Sequence, residues 1–290
     1  MQGCLALQPQ KRTDSKVDLY PSHIATWSRS KLEAAIKRRV QTAYLGKGVV
    51  LARILGRHKM FLRSSDRGFA CNVMLDGYWE MWVTQFLARF VTAGMTTIDV
   101  GANFGYYSLL LADAVGTSGT VVAVEPNPDT VALLRETILL NGFSSRTKIV
   151  PHALSDQPGQ AWLFSPDNEP KNTLLVHGPG IPGGTTIEVK TVTLDSIALE
   201  LPKVDLVKID AEGAEHKIVA GMTQLIARDH PAIVLEFNAA RYDDPMAFLK
   251  SLLNAYPSAQ EIGLDGKIIP LDVASVIDKR SLEDRMLFFR

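Results

Sequence analysis

From Ile98 onward, short β-branched runs alternate with longer stretches whose apolar residues recur every three or four positions. That is the pattern of a mostly parallel sheet carrying helices on both faces. The runs "TTIDV", "TVVAVEP", "TKIVPHAL", "VDLVKID" and "AIVLEF" predict five strands. Between them, "YYSLLLADAV" and "PDTVALLRETILLNG" predict helices, the second closed by Asn141-Gly142. "EGAEHKIVAGMTQLIARD" predicts a third, with Ile218, Val219, Met222, Leu225 and Ile226 at helical spacing. After the fifth strand the spacing predicts a helix over 245–255, strand-like "AQEIGL" and "KIIPL" around an Asp265-Gly266 turn, and a final strand "RMLFFR". With no full crossover helix between the late strands, the last one is expected to enter the sheet antiparallel, unlike a dinucleotide-binding domain.

Two regions interrupt this alternation. Residues 157–191 hold the short runs "AWLF", "TLLVH" and "TTIEVKTV", separated by the turn-rich "SPDNEPKN" and "GPGIPGG", which predicts a hairpin insertion on the sheet's carboxyl edge. Upstream, residues 31–45 read as a basic amphipathic helix with Leu32, Ile36, Val40 and Tyr44 four apart, followed by strand-like segments up to "CNVMLDGYWE". A chain of 290 residues, 46% hydrophobic, can bury one large α/β core plus appendages. The division expected is an extension of helix and strands over 1–75, serving as a lid or membrane-surface element, and a main domain over 76–290.

Charge refines this division. Lys/Arg and Asp/Glu are balanced at 31 each, which gives no overall reason to expect nucleic acid. Residues 1–67, however, carry 14 Lys/Arg against 4 Asp/Glu, and the remainder 17 against 27. The basic segment around Lys37, Arg38 and Arg39 is either a solvated helix face or a contact with an anionic membrane or a phosphate-bearing acceptor such as a lipid-linked saccharide. Cys4 and Cys71 have no paired spacing, which fits a reducing compartment. "MQGCLALQPQKR" lacks an apolar signal core and "VVLARIL" is broken by Arg53, so a cytoplasmic protein, soluble or peripheral at the inner membrane surface, is expected.

The turn "IDVGANFGYYSLLLA" carries the first chemistry. A glycine-rich strand-turn-helix lets the backbone approach a ligand and offers the free N–H groups of a helix N-terminus. The dinucleotide fingerprint needs glycines at the first, third and sixth positions from Gly101, where this chain has Asn103 and Tyr106 at the later two. Neither a Gly-Lys-Ser/Thr phosphate loop nor a Tyr-x-x-x-Lys pair occurs, which argues against phosphate cradling and against a nucleotide-dependent oxidoreductase. What remains is Asp99, Gly101, Asn103 and Gly105, which suit a ligand with an amino-acid carboxylate and ammonium, S-adenosylmethionine being the common one. Glu125 ends the second strand, where a carboxylate can accept hydrogen bonds from both ribose hydroxyls.

With "VVAVEPNP", "VTLDSI" and "VDLVKIDAEGAEHKIVAG", the turn resembles the FkbM-type S-adenosylmethionine-dependent methyltransferases over about residues 76–238, "LDGYWE" fitting the lead-in. One departure is Ala211, where the family usually carries Val. The resemblance implies a class I methyltransferase, Rossmann-like fold, with a seven-stranded, mostly parallel sheet and an antiparallel last strand. It also implies O-methylation of a hydroxyl on a sugar or on a glycosylated or polyketide product. Carried over, Asp99, Gly101, Asn103 and Gly105 would hold the methionine part and Glu125 the ribose. Pro126 and Asn127, with Ala153, Leu154 and Ser155, would border the adenine.

Methyl transfer to a hydroxyl needs its proton removed, and the carboxyl ends of the strands must supply the base. "KIDAEGAEH" places Asp210 at the end of the fourth strand, with Glu212, Glu215 and His216 around the next turn. Asp210 and Glu212 are the candidate catalytic residues, and Lys208, unusual in an apolar strand, is expected to pair with a nearby acid. A second option is a hard cation such as Mg²⁺ held by Asp210, Glu236 and Asn238. Glu236 could equally bond Lys208. A non-catalytic, methyltransferase-like binding module is a third reading, which intact Asp99, Gly105, Glu125 and Asp210 disfavour. No Asn/Asp-Pro-Pro-aromatic motif occurs, and with an acidic body this ranks base or RNA methylation low.

Overall fold

The computed structural model describes residues 18–166, 174–176, 178–179 and 181–290. Its central sheet has eight strands. Their order is Ile268–Pro270, Ala259–Ile262, Arg285–Phe289, Ala232–Phe237, Leu206–Ile209, Thr96–Val100, Thr120–Val124 and Thr147–Val150. The five strands read from the β-branched runs are mutually parallel. Arg285–Phe289 enters antiparallel between Ala232–Phe237 and Ala259–Ile262, as the missing crossover requires. The count exceeds the seven strands expected because the Asp265-Gly266 turn closes a hairpin. Asp265 accepts the Lys267 N–H at 3.0 Å and Gly266 takes φ 73°, so Ile268–Pro270 is added as an exposed edge strand.

Strands Thr96–Val100, Leu206–Ile209 and Ala232–Phe237 are buried at every position, as the centre of a sheet covered on both faces must be. On one face Ile98, Val100, Val122, Val207, Ile209 and Leu235 pack with helices Glu215–Ala220, Thr223–Asp229 and Pro245–Ala255. On the other, Val121, Ala123, Val234 and Phe288 share a core with Leu32, Ile36, Ile54 and Met60 of the N-terminal segments. The extension is therefore built into the same core as the sheet, and a boundary at 75/76 falls inside helix Phe69–Asp76.

Three local readings change. The helix over 31–45 is shorter: it runs Arg29–Lys37, and Tyr44 lies in strand Thr42–Gly46, the exposed edge of a three-stranded antiparallel sheet. The four-residue spacing holds only through Leu32 and Ile36. Beyond them Gly46 and Gly48, at φ 89° and 74°, turn the chain into a hairpin. The last residue of the helix, Lys37, pairs with Asp76 at 2.9 Å.

"EGAEHKIVAGMTQLIARD" forms two helices, Glu215–Ala220 and Thr223–Asp229. Gly221 passes so close to the Ser155 carbonyl that a Cβ would come within 2.3 Å of it. The Asp195 carboxylate of "VTLDSI" restarts the helix by accepting the Gln224 and Leu225 N–H groups at 3.1 and 2.8 Å. "TKIVPHAL" splits at Pro151 and His152. Ala153–Leu154 leaves the central sheet to pair parallel with Gly184–Val192, which pairs antiparallel with Gly159–Pro166. Leu174–Val176 completes that second sheet, and the remainder of "SPDNEPKN" and "GPGIPGG" lies partly outside the described residues.

Among the described residues no helix is long and apolar enough to cross a membrane. Cys71 is exposed, and Cys4 lies outside the described residues.

Candidate active site

The carboxyl ends of the first, second, fourth and fifth parallel strands open into one cleft of about 580 Å³, a size suited to a small molecule. From the glycine turn, Gly101 and Asn103 line it. Asp99 and Gly105 lie outside its lining: Asp99 is fully buried beneath the turn and Gly105 opens helix Tyr106–Ala114 at φ 99°. Both glycines answer to the protein itself. A Cβ on Gly101 would come within 1.8 Å of the Asp210 carbonyl oxygen, and one on Gly105 within 2.6 Å of Leu134. The turn is thus locked against the fourth strand's end and against helix Pro128–Leu140.

Glu125 is buried at the end of the second strand and lines the cleft. Its two carboxylate oxygens accept the Asn103 and Asn127 N–H groups, each at 2.9 Å. Burial outweighs those bonds and pushes its carboxyl up to about 7. Pro126, Asn127, Ala153 and Leu154 continue the wall. The Asn127 side chain is spent capping helix Pro128–Leu140, accepting the Asp129 N–H at 3.0 Å. Ser155 is outside the lining, its N–H bound to the Val192 carbonyl and its hydroxyl to Asp156.

Lys208 does pair with neighbouring acids. It faces Asp99 across the ladder between the first and fourth strands, with Nζ 3.9 Å from Asp99 and 3.0 Å from Asp210 Oδ2, and it lies over the Tyr107 ring at 4.7 Å. Burial works against the ammonium, and Asp210 and Asp99 together overcome it, so the lysine stays charged. Asp99 accepts the Ser108 hydroxyl at 2.6 Å, while its Oδ1 has no hydrogen-bond partner. Burial raises its carboxyl against the pull of Lys208. Tyr107 donates to Glu80 Oε2 at 2.7 Å. Burial and Asp210 push that carboxyl up to about 7.

Glu215 shapes the loop after the fourth strand rather than facing the cleft. Fully buried, it accepts the Ala211 and Gly213 N–H groups and the Tyr242 hydroxyl, holding Glu212 at φ 52°. His216 leans on Tyr242 and Phe248. Glu212 lines the cleft and is pushed up to about 7 by burial and Asp210, against Arg241. Arg241 also binds Glu236 at 2.5 Å and Asp284 at 3.0 Å, so the partner of Glu236 is Arg241, not Lys208.

The Asp210, Glu236 and Asn238 set is committed elsewhere. Arg241 holds Glu236. Asn238 accepts the Ala240 N–H on its side-chain oxygen and donates its amide NH₂ to Asp284 and to the Leu282 carbonyl. Among the described residues no three His, Cys, Asp or Glu side chains are grouped to hold a metal ion. As arranged, Asp210 pairs with Lys208, Glu236 with Arg241, and the Asn238 amide with Asp284.

Residues 99–257 match the methyltransferase FkbM domain, more than half of the chain. The chain belongs to the FkbM methyltransferase family. The hexuronic acid methyltransferase AglP of Haloferax volcanii is 31% identical over 166 residues, 56% of this chain and 63% of its own length. The protein-L-isoaspartate O-methyltransferase of Methanococcoides burtonii is 34% identical over 59 residues, 20% of this chain and 29% of its own. Among solved structures, methyltransferase FkbM from Methylobacillus flagellatus KT superposes with a TM-score of 0.48 at 16% identity, over 76% of this chain and 52% of its own. The chain thus spans less than two thirds of the length of these relatives.

Several cleft residues of this FkbM-family chain lie outside the matched span. Arg63, Phe69, Trp79 and Glu80 come from the N-terminal segments and Asp284 from the approach to the last strand. Arg241 lies inside it. The signal for Arg241 is a cation five residues after a strand-end acid in "EFNAAR". The signal for Glu80 is an acid closing the aromatic pair of "GYWE".

Proposed function

We propose that this chain is an S-adenosylmethionine-dependent O-methyltransferase acting on a hydroxyl of a sugar, glycoconjugate or related natural product. One observation carries the reading: in a chain of this family, buried Glu125 and the carboxylates at the fourth strand's end share a single cleft. The residues present fit the cofactor. Beyond its two backbone bonds, Glu125 keeps lone pairs for both ribose hydroxyls. Ala153, Leu154 and Ile218 give an apolar wall for an adenine ring. The Haloferax relative, a hexuronic acid methyltransferase, supports an acceptor derived from a sugar.

When bound, the cofactor supplies a methyl group already activated by its sulfonium. The protein's part is to orient the acceptor oxygen and take its proton. Asp210 and Glu212 are assigned that work. Lys208 fixes Asp210 through Oδ2, and Glu212, with its carboxyl near neutrality, has the proton affinity a base needs at neutral pH.

Calorimetric titration with S-adenosylmethionine and with NAD tests the reading: the first is expected to bind, and binding of NAD alone overturns it. Labelled cofactor offered with glycolipid and polysaccharide precursors then finds the acceptor. Glu125→Ala is expected to weaken cofactor binding about 10–100-fold, the worth of charge-assisted hydrogen bonds. Unchanged affinity would leave Glu125 only its bonds to Asn103 and Asn127. Asp210→Asn should bind the cofactor within a few-fold of wild type and lose about 10²–10⁴ in turnover, and near-normal turnover would move the base elsewhere.

A further inference from the structure

We propose that Glu80 is the residue by which the cleft tells a positively charged sulfonium donor from its uncharged thioether product; this rests on the S-adenosylmethionine reading above. The two ligands differ by one methyl group and one charge. A sulfonium has no N–H or O–H to donate and a thioether sulfur accepts only weakly, so conventional hydrogen bonding separates the two poorly. A fixed carboxylate with no cation of its own can separate them by charge.

Glu80 is placed to be that carboxylate. Five acids gather at the ends of the fourth and fifth strands: Glu80, Asp210, Glu212, Glu236 and Asp284. Lys208 pairs with Asp210, and Arg241 with Glu212, Glu236 and Asp284. Among the described residues Glu80 has no ion pair, and its recorded side-chain bond comes from the neutral Tyr107 hydroxyl at 2.7 Å. Tyr107 lies in the first turn of the helix that follows the glycine turn, so Glu80 lies beside the turn expected to hold the amino-acid end of the donor. Sulfur joins that end to the ribose, which places it between the turn and Glu125.

The backbone reinforces the assignment. Glu80 sits at φ 34° and ψ 67°, a left-handed conformation costly for a residue with a Cβ. It is held there as the Thr84 N–H bonds its carbonyl and the Thr84 hydroxyl bonds the Trp79 carbonyl. Of the six non-glycine residues with left-handed φ among those described, Glu80, Asn103 and Glu212 line this one cleft.

The groups acting on Glu80 are Tyr107 from the first helix, Lys208 and Asp210 from the fourth strand, and Asp284 before the last strand. Their balance, led by burial, leaves Glu80 about half protonated at neutral pH. A cationic ligand therefore expels that proton, and a neutral one does not.

The test is calorimetry of the full chain with S-adenosylmethionine and with S-adenosylhomocysteine from pH 6 to 8, in buffers of different ionisation enthalpy at fixed ionic strength. Since Glu125 meets the same ribose in both ligands, wild type at pH 7 is expected to release up to about half a proton more on binding the donor than on binding the product. Its preference for donor over product should rise by up to about tenfold across the range. Glu80→Gln, which keeps an acceptor for Tyr107, should lose that rise while binding the product as before. Tyr107→Phe removes a bond that favours the charged carboxylate, so it should keep the preference and move the midpoint upward. Wild-type preference and pH dependence persisting in Glu80→Gln would overturn the proposal. Wild type binding neither ligand would instead overturn the cofactor reading beneath it.

Discussion

Lys208→Met is expected to destabilise the protein by about 3–5 kcal/mol, the cost of removing one partner from a buried ion pair. The lysine side chain is only 1% exposed, with Asp99 at 1% and Asp210 at 23% on either side of its ammonium. Methionine matches its length and apolar stem, so the loss isolates the charge. It leaves Asp99 in the middle of the sheet with the Ser108 hydroxyl and, among the described residues, no other ion-pair partner.

The sign of the pH dependence follows. An acid whose carboxyl is raised in the folded state binds more protons folded than unfolded, so it costs stability as pH rises above its ordinary range. Burial already raises Asp99, and removing Lys208 raises it further. The penalty should therefore be smaller at pH 5 than at pH 8, as read from denaturant unfolding at the two values. Adding Asp99→Asn should recover part of the loss. A penalty under about 1 kcal/mol, flat with pH, would show that Asp99 is neutral with the lysine present.

How much of this was legible in the chain depends on how each residue was coded. The parallel strands were readable because burial on both faces demands unbroken β-branched runs, and "TTIDV" and "AIVLEF" are buried at every position. Glu125, Asp210 and Glu212 were readable because each closes or follows such a run. The helix over 31–45 was over-extended because apolar residues four apart also fit a strand that turns one side chain to solvent, as Tyr44 does. The break at Gly221 depends on a close approach to Ser155, more than sixty residues away, which no local pattern encodes. The places of Glu80 and Asp284 in the cleft escaped for the same reason. Both residues stand in connections without periodicity, and only the closed fold brings them beside Asp210.

Gly101→Ala is expected to cost about 2–5 kcal/mol, combining a left-handed backbone with a steric conflict that no rotamer relieves. At φ 74° an L side chain is strained wherever it stands. Here the added Cβ would also lie 1.8 Å from the Asp210 carbonyl oxygen. That carbonyl belongs to backbone, and the Asp210 N–H is bonded to the Val100 carbonyl at 3.2 Å. Gly101 and Ala102 both donate to the Val124 carbonyl at 3.0 Å. The conflict can be relieved only by spreading the first and fourth strand ends, which moves Asn103 and Asp210 together and should weaken cofactor binding along with stability. Gly142→Ala is the matched control, at φ 72° with nothing within 4 Å of the new Cβ, so it carries the backbone strain alone. Denaturant unfolding of the two variants should therefore separate strain from collision. If Gly101→Ala costs no more than Gly142→Ala, the fourth-strand loop yields freely, and the glycine serves the ligand rather than the join between strands.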